Sequence, residues 1–203
     1  MVEPPQAAAV ASPLIGVLAL QGDYEAHALA LEEAGAQAVA VRLPTELFGL
    51  DGLVIPGGES SALLKLMACD GLFDALRAFA AKKPVFGTCA GCILLARRVV
   101  SPRQPSLGLL DVTVERNAYG RQIESAILKT PTTLEGGPIE TVYIRAPRIV
   151  ATGPAVEVLA MRDRSPVLVR QDRILASTFH PELSADRRVH RLFCTMAMDH
   201  AGT

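Results

Sequence analysis

The chain has no excess of charge of either sign: 20 lysines and arginines stand against 21 aspartates and glutamates in 203 residues, a formal net charge of -1. Such a balance argues against a basic nucleic-acid surface and against an acidic tail, and it suits a small neutral or zwitterionic ligand. Cysteine is scarce: Cys69, Cys89, Cys92 and Cys194 show no regular framework. A domain of this length needs no disulfide staples, so a reducing cytoplasm is expected. Long apolar runs are missing too. Nothing approaches the ~20 residues that cross a bilayer, which predicts a soluble protein. Residues 1–13 hold three prolines and an alanine run without a basic start, and their apolar part is too short for the core of a signal peptide. They read as a disordered extension before a single domain spanning residues 14–203. No internal repeat and no low-complexity tract follows, and half of the residues are hydrophobic, enough for one well-filled core.

What the chain does have is alternation. Residues 14–20, 38–41 and 53–55 read as buried strands, and helical stretches lie between or after them at 23–35, 61–68 and 72–81. Asp23 stands as the first cap, Ala26, Leu29, Ala30 and Ala34 as the apolar positions of the first helix, and Gly35 as its end. Strands and helices in this rhythm predict an α/β fold with a parallel sheet covered on both faces. After a strand ending at residue 88, a helix is expected from 90 to about 99. The second half reads as strands at 109–116, 142–145, 156–161, 167–169 and 174–179, separated by turns, which predicts antiparallel strands added at one side of the sheet. Ser184 caps a last helix whose Val189, Leu192, Phe193, Met196 and Ala197 form one apolar stripe.

Three stretches carry chemistry. In Gly87-Thr88-Cys89-Ala90-Gly91, glycines flank a cysteine at two residues on either side, the spacing of a nucleophile elbow with sulfur in place of oxygen. A tight strand-to-helix turn excludes bulky neighbours there, leaves the thiol beyond the carboxyl edge of the sheet, and points it at the positive end of the next helix, where a reactive anion is favoured. The plain alternative is a buried cysteine between two packing glycines. His180-Pro181-Glu182 offers a base and a carboxylate to orient it, because residues two apart in extended chain point to the same side. A surface turn with a solvated carboxylate is the alternative for that tripeptide. Pro56-Gly57-Gly58-Glu59-Ser60 follows a buried strand and precedes a helix, so its backbone amides suit an oxyanion or a carboxylate.

Together these residues resemble the triad-type, class I glutamine amidotransferases. Gly16-Val17-Leu18-Ala19-Leu20-Gln21-Gly22, Val114 to Gln122 (Val-Glu-Arg-Asn-Ala-Tyr-Gly-Arg-Gln) and Ile144-Arg145-Ala146-Pro147 are similar to the glutaminase subunits of pyridoxal 5'-phosphate synthases, and the likeness runs from residue 14 to 198. The resemblance implies a three-layer αβα, flavodoxin-like domain with a mixed, mainly parallel sheet. It implies Cys89 as nucleophile, His180 as general base and acid, and Glu182 as the orienting carboxylate. Glutamine would be held by Gly58, Glu59, Ser60, Arg116, Ile144 and Arg145, and the oxyanion by backbone amides at Gly58 and Ala90. Ammonia would pass to a separate synthase subunit in a hetero-oligomer that makes vitamin B6. No cofactor and no metal is called for, and neither nucleic acid nor membrane is an expected partner. Ser61 replaces a more usual threonine. Cys92 stands where an aliphatic residue is usual, and it reads as a core thiol rather than the second half of a redox pair. His27 is matched in the family but reads as a helix-surface residue near a partner, and His190 and His200 read as solvated. Two alternatives fit the same residues: the glutaminase of another pathway, such as imidazole glycerol phosphate synthase, and a non-catalytic glutamine-binding sensor.

Overall fold

Residues that are buried on both sides become the central strands. In the computed structural model, which describes residues 12–116 and 125–200, the chain runs β1 (Leu14–Leu18), α1 (Tyr24–Glu33), β2 (Gln37–Val41), β3 (Gly52–Ile55), α2 (Ser60–Met67), α3 (Leu72–Ala80), β4 (Val85–Thr88), α4 (Ala90–Leu95), β5 (Ala96–Val100), β6 (Leu110–Glu115), β7 (Ser125–Thr130), β8 (Ile139–Ile144), β9 (Arg148–Thr152), β10 (Glu157–Arg162), β11 (Ser165–Gln171), β12 (Ile174–Ser177) and α5 (Arg188–Asp199). Every residue of β3, β4 and β12 is buried. The main sheet has the order β10-β11-β12-β4-β3-β1-β2. Its β2, β1, β3, β4 and β12 are parallel, while β11 and β10 add antiparallel at one edge.

Side-chain alternation sends successive strand residues into two cores. Leu53, Ile55 and Val85 meet Leu63, Met67, Leu72 and Leu76 of α2 and α3. Val54, Phe86 and Leu175 meet Leu31 of α1 and Val189 and Phe193 of α5. Helices therefore cover both faces, and the architecture is the three-layer αβα, flavodoxin-like one with a mainly parallel sheet. Among the described residues no helix is long and apolar enough to cross a membrane. Pro13, the last residue of the expected extension, is buried and its carbonyl accepts a hydrogen bond from Gln37 N at 2.9 Å; residues 1–11 lie outside the described residues.

Several boundaries differ from expectation. The helix after Cys89 stops at Leu95 because the carbonyls of Leu94 and Leu95 accept from Leu107 N and Leu109 N, at 2.7 and 2.9 Å, instead of continuing the helix. Ala96–Val100 then forms β5, parallel to β6. Not all later strands join the main sheet: β5, β6 and β9 make a second sheet, and β7 with β8 a third. Ser184 does not cap α5. Its Oγ accepts from Asp186 N at 3.0 Å, and the helix begins four residues later. In α1 the buried face is His27, Ala30 and Leu31, while Leu29 is 54% exposed, so the apolar stripe is displaced by a residue from the one expected.

Candidate active site

The geometry starts at Cys89, between β4 and α4, with φ 49° and ψ -103°. A non-glycine residue at positive φ is strained, and here the flanking glycines make room for it. A Cβ on Gly91 would lie 2.0 Å from the Ile55 carbonyl oxygen, and one on Gly87 2.6 Å from the Gly91 carbonyl. Cys89 N donates to Ser177 O at 2.9 Å, which ties the elbow to β12.

Because β12 is the parallel neighbour of β4, with Ser177 opposite Thr88, the residues just past both strands share one edge. His180 stands there, its backbone N–H donating to Val142 O of β8 at 2.8 Å. That bond also brings the end of β8, hence Ile144 and Arg145, to the same edge. Gly57 closes the group: a Cβ at that position would fall 2.5 Å from His180 Cε1 and 3.4 Å from Cys89 Cβ.

His180 Nδ1 lies 2.7 Å from Glu182 Oε1. Burial works to lower the His180 pKa, but hydrogen bonds with the Cys89 sulfur and the Glu182 carboxylate, and the charges of both, outweigh it and raise it to about 10. The ring thus keeps its proton at neutral pH and faces the sulfur as an imidazolium. Glu182 is 5% exposed. Burial pushes its carboxyl up, and the neighbouring His27 and His180 more than offset that, leaving it below the ordinary range. Such an ionised, buried carboxylate holds a histidine in one tautomer.

A cleft of about 430 Å³ opens over the sulfur, and its lining includes Cys89, His180 and all six residues expected to hold glutamine: Gly58, Glu59, Ser60, Arg116, Ile144 and Arg145. Arg116 Nη2 is 3.2 Å from Glu59 Oε1, so a cation and an anion lie side by side at its wall, a pairing that suits the two charges of an amino acid. Hydrogen bonding from Ser61 holds the Glu59 carboxyl below its ordinary range, with Arg116 adding to the effect. Ala90, expected in the oxyanion site, is the first residue of α4 and is buried. The part of the Val114 to Gln122 segment past Arg116 lies outside the described residues. Gln21 and Ile93 also line the cleft and were not singled out beforehand. Gln21 Oε1 is buried without a hydrogen-bond partner among the described residues, and the sequence signal for it is its place just past the expected strand of residues 14–20.

His27 is not on the surface: it is fully buried beside Glu182, because its α1 face packs on the sheet. His190 is not solvated either; it shares the buried face of α5 with Phe193 and Cys194, and His200 is half-buried with Nδ1 2.8 Å from Met196 O. Both buried histidines stand at helical spacing from apolar residues, the signal that would have found them. Cys92 is fully buried, and burial, with the Cys89 charge, pushes its thiol up to about 12, which fits a core thiol. Among the described residues no cluster of histidine, cysteine, aspartate and glutamate is arranged to hold a metal ion.

Comparison with known proteins agrees in scale with this geometry. A protein of Koribacter versatilis named pyridoxal 5'-phosphate synthase subunit PdxT is 61% identical over 182 residues, 90% of this chain and 94% of that one. One of the same name from Acidothermus cellulolyticus is 52% identical over 93% of this chain and 96% of its own. A solved structure described as a glutamine amidotransferase superposes with a TM-score of 0.84 at 48% identity, covering 90% of this chain and 98% of the other. The sequence model of the SNO glutamine amidotransferase family matches residues 17–199, which include every residue of the cleft, and the chain belongs to that family.

Proposed function

We propose that this chain is the glutaminase subunit of a pyridoxal 5'-phosphate synthase, hydrolysing L-glutamine to L-glutamate and ammonia and delivering the ammonia to a separate PdxS-type synthase subunit within a cytoplasmic hetero-oligomer. The observation that carries the reading is the meeting of the Cys89 elbow, the His180–Glu182 pair and the Glu59–Arg116 wall in one cleft.

The chemistry follows from those positions. Arg116 and Arg145 hold the α-carboxylate of glutamine, and Glu59 faces its ammonium, so the side-chain amide reaches toward the sulfur. The Cys89 thiolate attacks the amide carbon, and its electron pair forms a C–S bond while the carbonyl becomes an oxyanion held by backbone N–H groups at Gly58 and Ala90. Collapse breaks the C–N bond, and His180 gives its proton to the departing nitrogen, leaving ammonia and a γ-glutamyl thioester. His180, now neutral, takes a proton from water as the water attacks the thioester, and glutamate leaves with the thiolate restored. Glu182 keeps its negative charge through both halves and stabilises the imidazolium. Neither half calls for a redox step.

The relatives' name favours this pathway over imidazole glycerol phosphate synthesis, and the complete triad favours an enzyme over a sensor. The test is glutamate release by the mixture of this chain and the synthase subunit. Cys89→Ala should abolish it, and substantial residual turnover would refute the reading; failure of the wild-type chain to bind that subunit would refute the pathway while leaving the chemistry open to the same assay with another acceptor.

A further inference from the structure

The polar surroundings of Glu182 do not stop at His180. Glu182 Oε2, on the far side of the carboxylate, is 3.2 Å from His27 Nε2. The same nitrogen is hydrogen-bonded with Thr88 Oγ1 at 3.0 Å, and no hydrogen bond is aligned onto Glu182 Oε2 among the described residues. His27 Nδ1 in turn is 3.2 Å from His190 Nε2. All of these groups are buried: His27 and His190 are fully so and Thr88 too.

The tautomers can be worked out from the ends. An ionised carboxylate only accepts, so a nitrogen facing it must carry a proton; His27 is therefore protonated on Nε2. Burial lowers the His27 pKa, against the pull of Glu182 and with the push of His180; Asp23, at the cap of the same helix, pulls the other way more weakly. The ring is then neutral, and its Nδ1 must accept. His190 supplies the donor from Nε2. It is neutral as well, its pKa pushed well below the ordinary value by burial, with His27 and Arg187 adding. The remaining nitrogen, His190 Nδ1, is buried without a hydrogen-bond partner among the described residues. In this arrangement it is an unprotonated acceptor, whereas the reverse arrangement would bury an unpaired N–H there and turn the His27 lone pair on the carboxylate.

We propose that His27 is a positioning residue for the triad: Thr88 anchors its Nε2 edge, and the N–H dipole there, 3.2 Å from Glu182 Oε2, attracts that oxygen electrostatically without an aligned hydrogen bond, so that Oε1 stays aimed at His180 Nδ1, with His190 fixing the His27 tautomer that makes this possible. The inference rests on Cys89, His180 and Glu182 being the catalytic triad, and it adds a role that substrate contact cannot explain, since His27 does not line the cleft.

The test compares His27→Leu, which fills the space without a donor, with His27→Gln, whose amide N–H can replace Nε2–H. In the complex with the synthase subunit, His27→Leu should lower kcat for glutamate release by about 10- to 100-fold, the range for leaving a buried charged group without its polar neighbour, with KM for glutamine within about twofold. His27→Gln should recover most of kcat. A Leu variant within twofold of wild-type kcat, or a Gln variant as impaired as the Leu one, overturns the proposal. A readout on the unmutated protein needs neither variant to fold: imidazole 15N shifts should show His27 neutral and protonated on Nε2 across roughly pH 6 to 8, and a proton on Nδ1 instead, or a charged ring, overturns it. If Cys89→Ala retains turnover while the His27 tautomer is as described, the triad assignment has failed and not the hydrogen-bond chain.

Discussion

Gly91→Ala asks the most of the elbow for the least change in mass. Its new methyl would sit 2.0 Å from the Ile55 carbonyl oxygen, and the next nearest contacts are the Ile55 carbonyl carbon at 3.0 Å and Ile55 Cβ at 3.3 Å. Ordinary contact begins near 3.4 Å, so α4 and β3 must separate by about 1.4 Å at that point. The obstacle is backbone of a fully buried central strand, not the end of a flexible side chain, so the relief has to come from α4 and the residue just before it, Cys89. Overpacking of this kind costs roughly 1–3 kcal/mol. The cost to catalysis is comparable, because a displacement of about 1 Å at a reacting atom is worth about 100-fold in rate, about 2.7 kcal/mol. Urea unfolding should therefore show the midpoint lowered with the slope unchanged, and glutamate release in the presence of the synthase subunit should fall by about two orders of magnitude. A variant with wild-type midpoint and wild-type turnover would mean that the helix–strand approach is looser than the structure has it, and the steric reason given for the Gly-x-Cys-x-Gly pattern would fall with it.

Other consequences follow from the charges. The His180 pKa is raised above its unfolded value, so the stability it contributes is complete below about pH 6.5 and is lost as pH rises through about 10; NMR titration of the His180 ring should show that raised value, and Cys89→Ala or Glu182→Gln, each removing one cause of the rise, should bring it down. The proton that the proposed mechanism has His180 give to ammonia is then available through the neutral range, and an alkaline limb of kcat/KM near pH 7 would contradict the assignment. Arg116→Ala should raise KM for glutamine by roughly 10- to 100-fold with a smaller effect on kcat, and the reverse split, measured by steady-state kinetics, would remove Arg116 from the carboxylate site. Alkylation of the native protein should modify the exposed Cys69 and, unless glutamine protects it, Cys89, while Cys92 reacts only after unfolding; rapid labelling of native Cys92 by mass spectrometry would show that α4 opens readily.

The parts of the fold that were legible in the sequence are those whose causes are local. The strands β1, β3, β4 and β12 are short apolar runs because both of their faces are covered, and burial on both sides leaves no alternation to misread. The elbow was legible because the steric demand falls on the two glycines beside Cys89, and the His180–Glu182 pair because its members are two residues apart. What failed depended on distant partners. β5 forms because residues 107 and 109 take the carbonyls that would have continued α4, and nothing within the run Ala-Arg-Arg-Val-Val announces that. β9 was passed over because three of its five residues are exposed, and β7 because its only partner in the described sheets is β8, which it meets with alternate residues half in water. In α1 residue type itself misled: Leu29 looks like core and His27 like surface, and the structure reverses them because the face that packs on the sheet is that of His27, Ala30 and Leu31, which carries His27 to 3.2 Å from Glu182 Oε2.

That reversal locates the energetic balance of the site. Desolvating the Glu182 carboxylate costs several kcal/mol unless polar partners offset it, and the two histidines beside it come from opposite directions: His180, hydrogen-bonded to Oε1, from the cleft edge, and His27, 3.2 Å from Oε2, from the helical layer beneath. Phe86 connects the two. It belongs to β4, three residues before Cys89, and its ring packs edge-on to His27 at 6.3 Å and to His190 at 6.1 Å, with Phe193 of α5 behind it at 5.6 Å. The strand that aims the sulfur on one side therefore seats, through its next inward-facing side chain, the histidines that hold the carboxylate. Packing on the α1–α5 face and the charge state of the triad are consequently coupled: a substitution that shrinks Phe86 or Phe193 loosens the histidine pair before it touches the cleft, and its effect enters turnover through the aim of Glu182 rather than through glutamine binding.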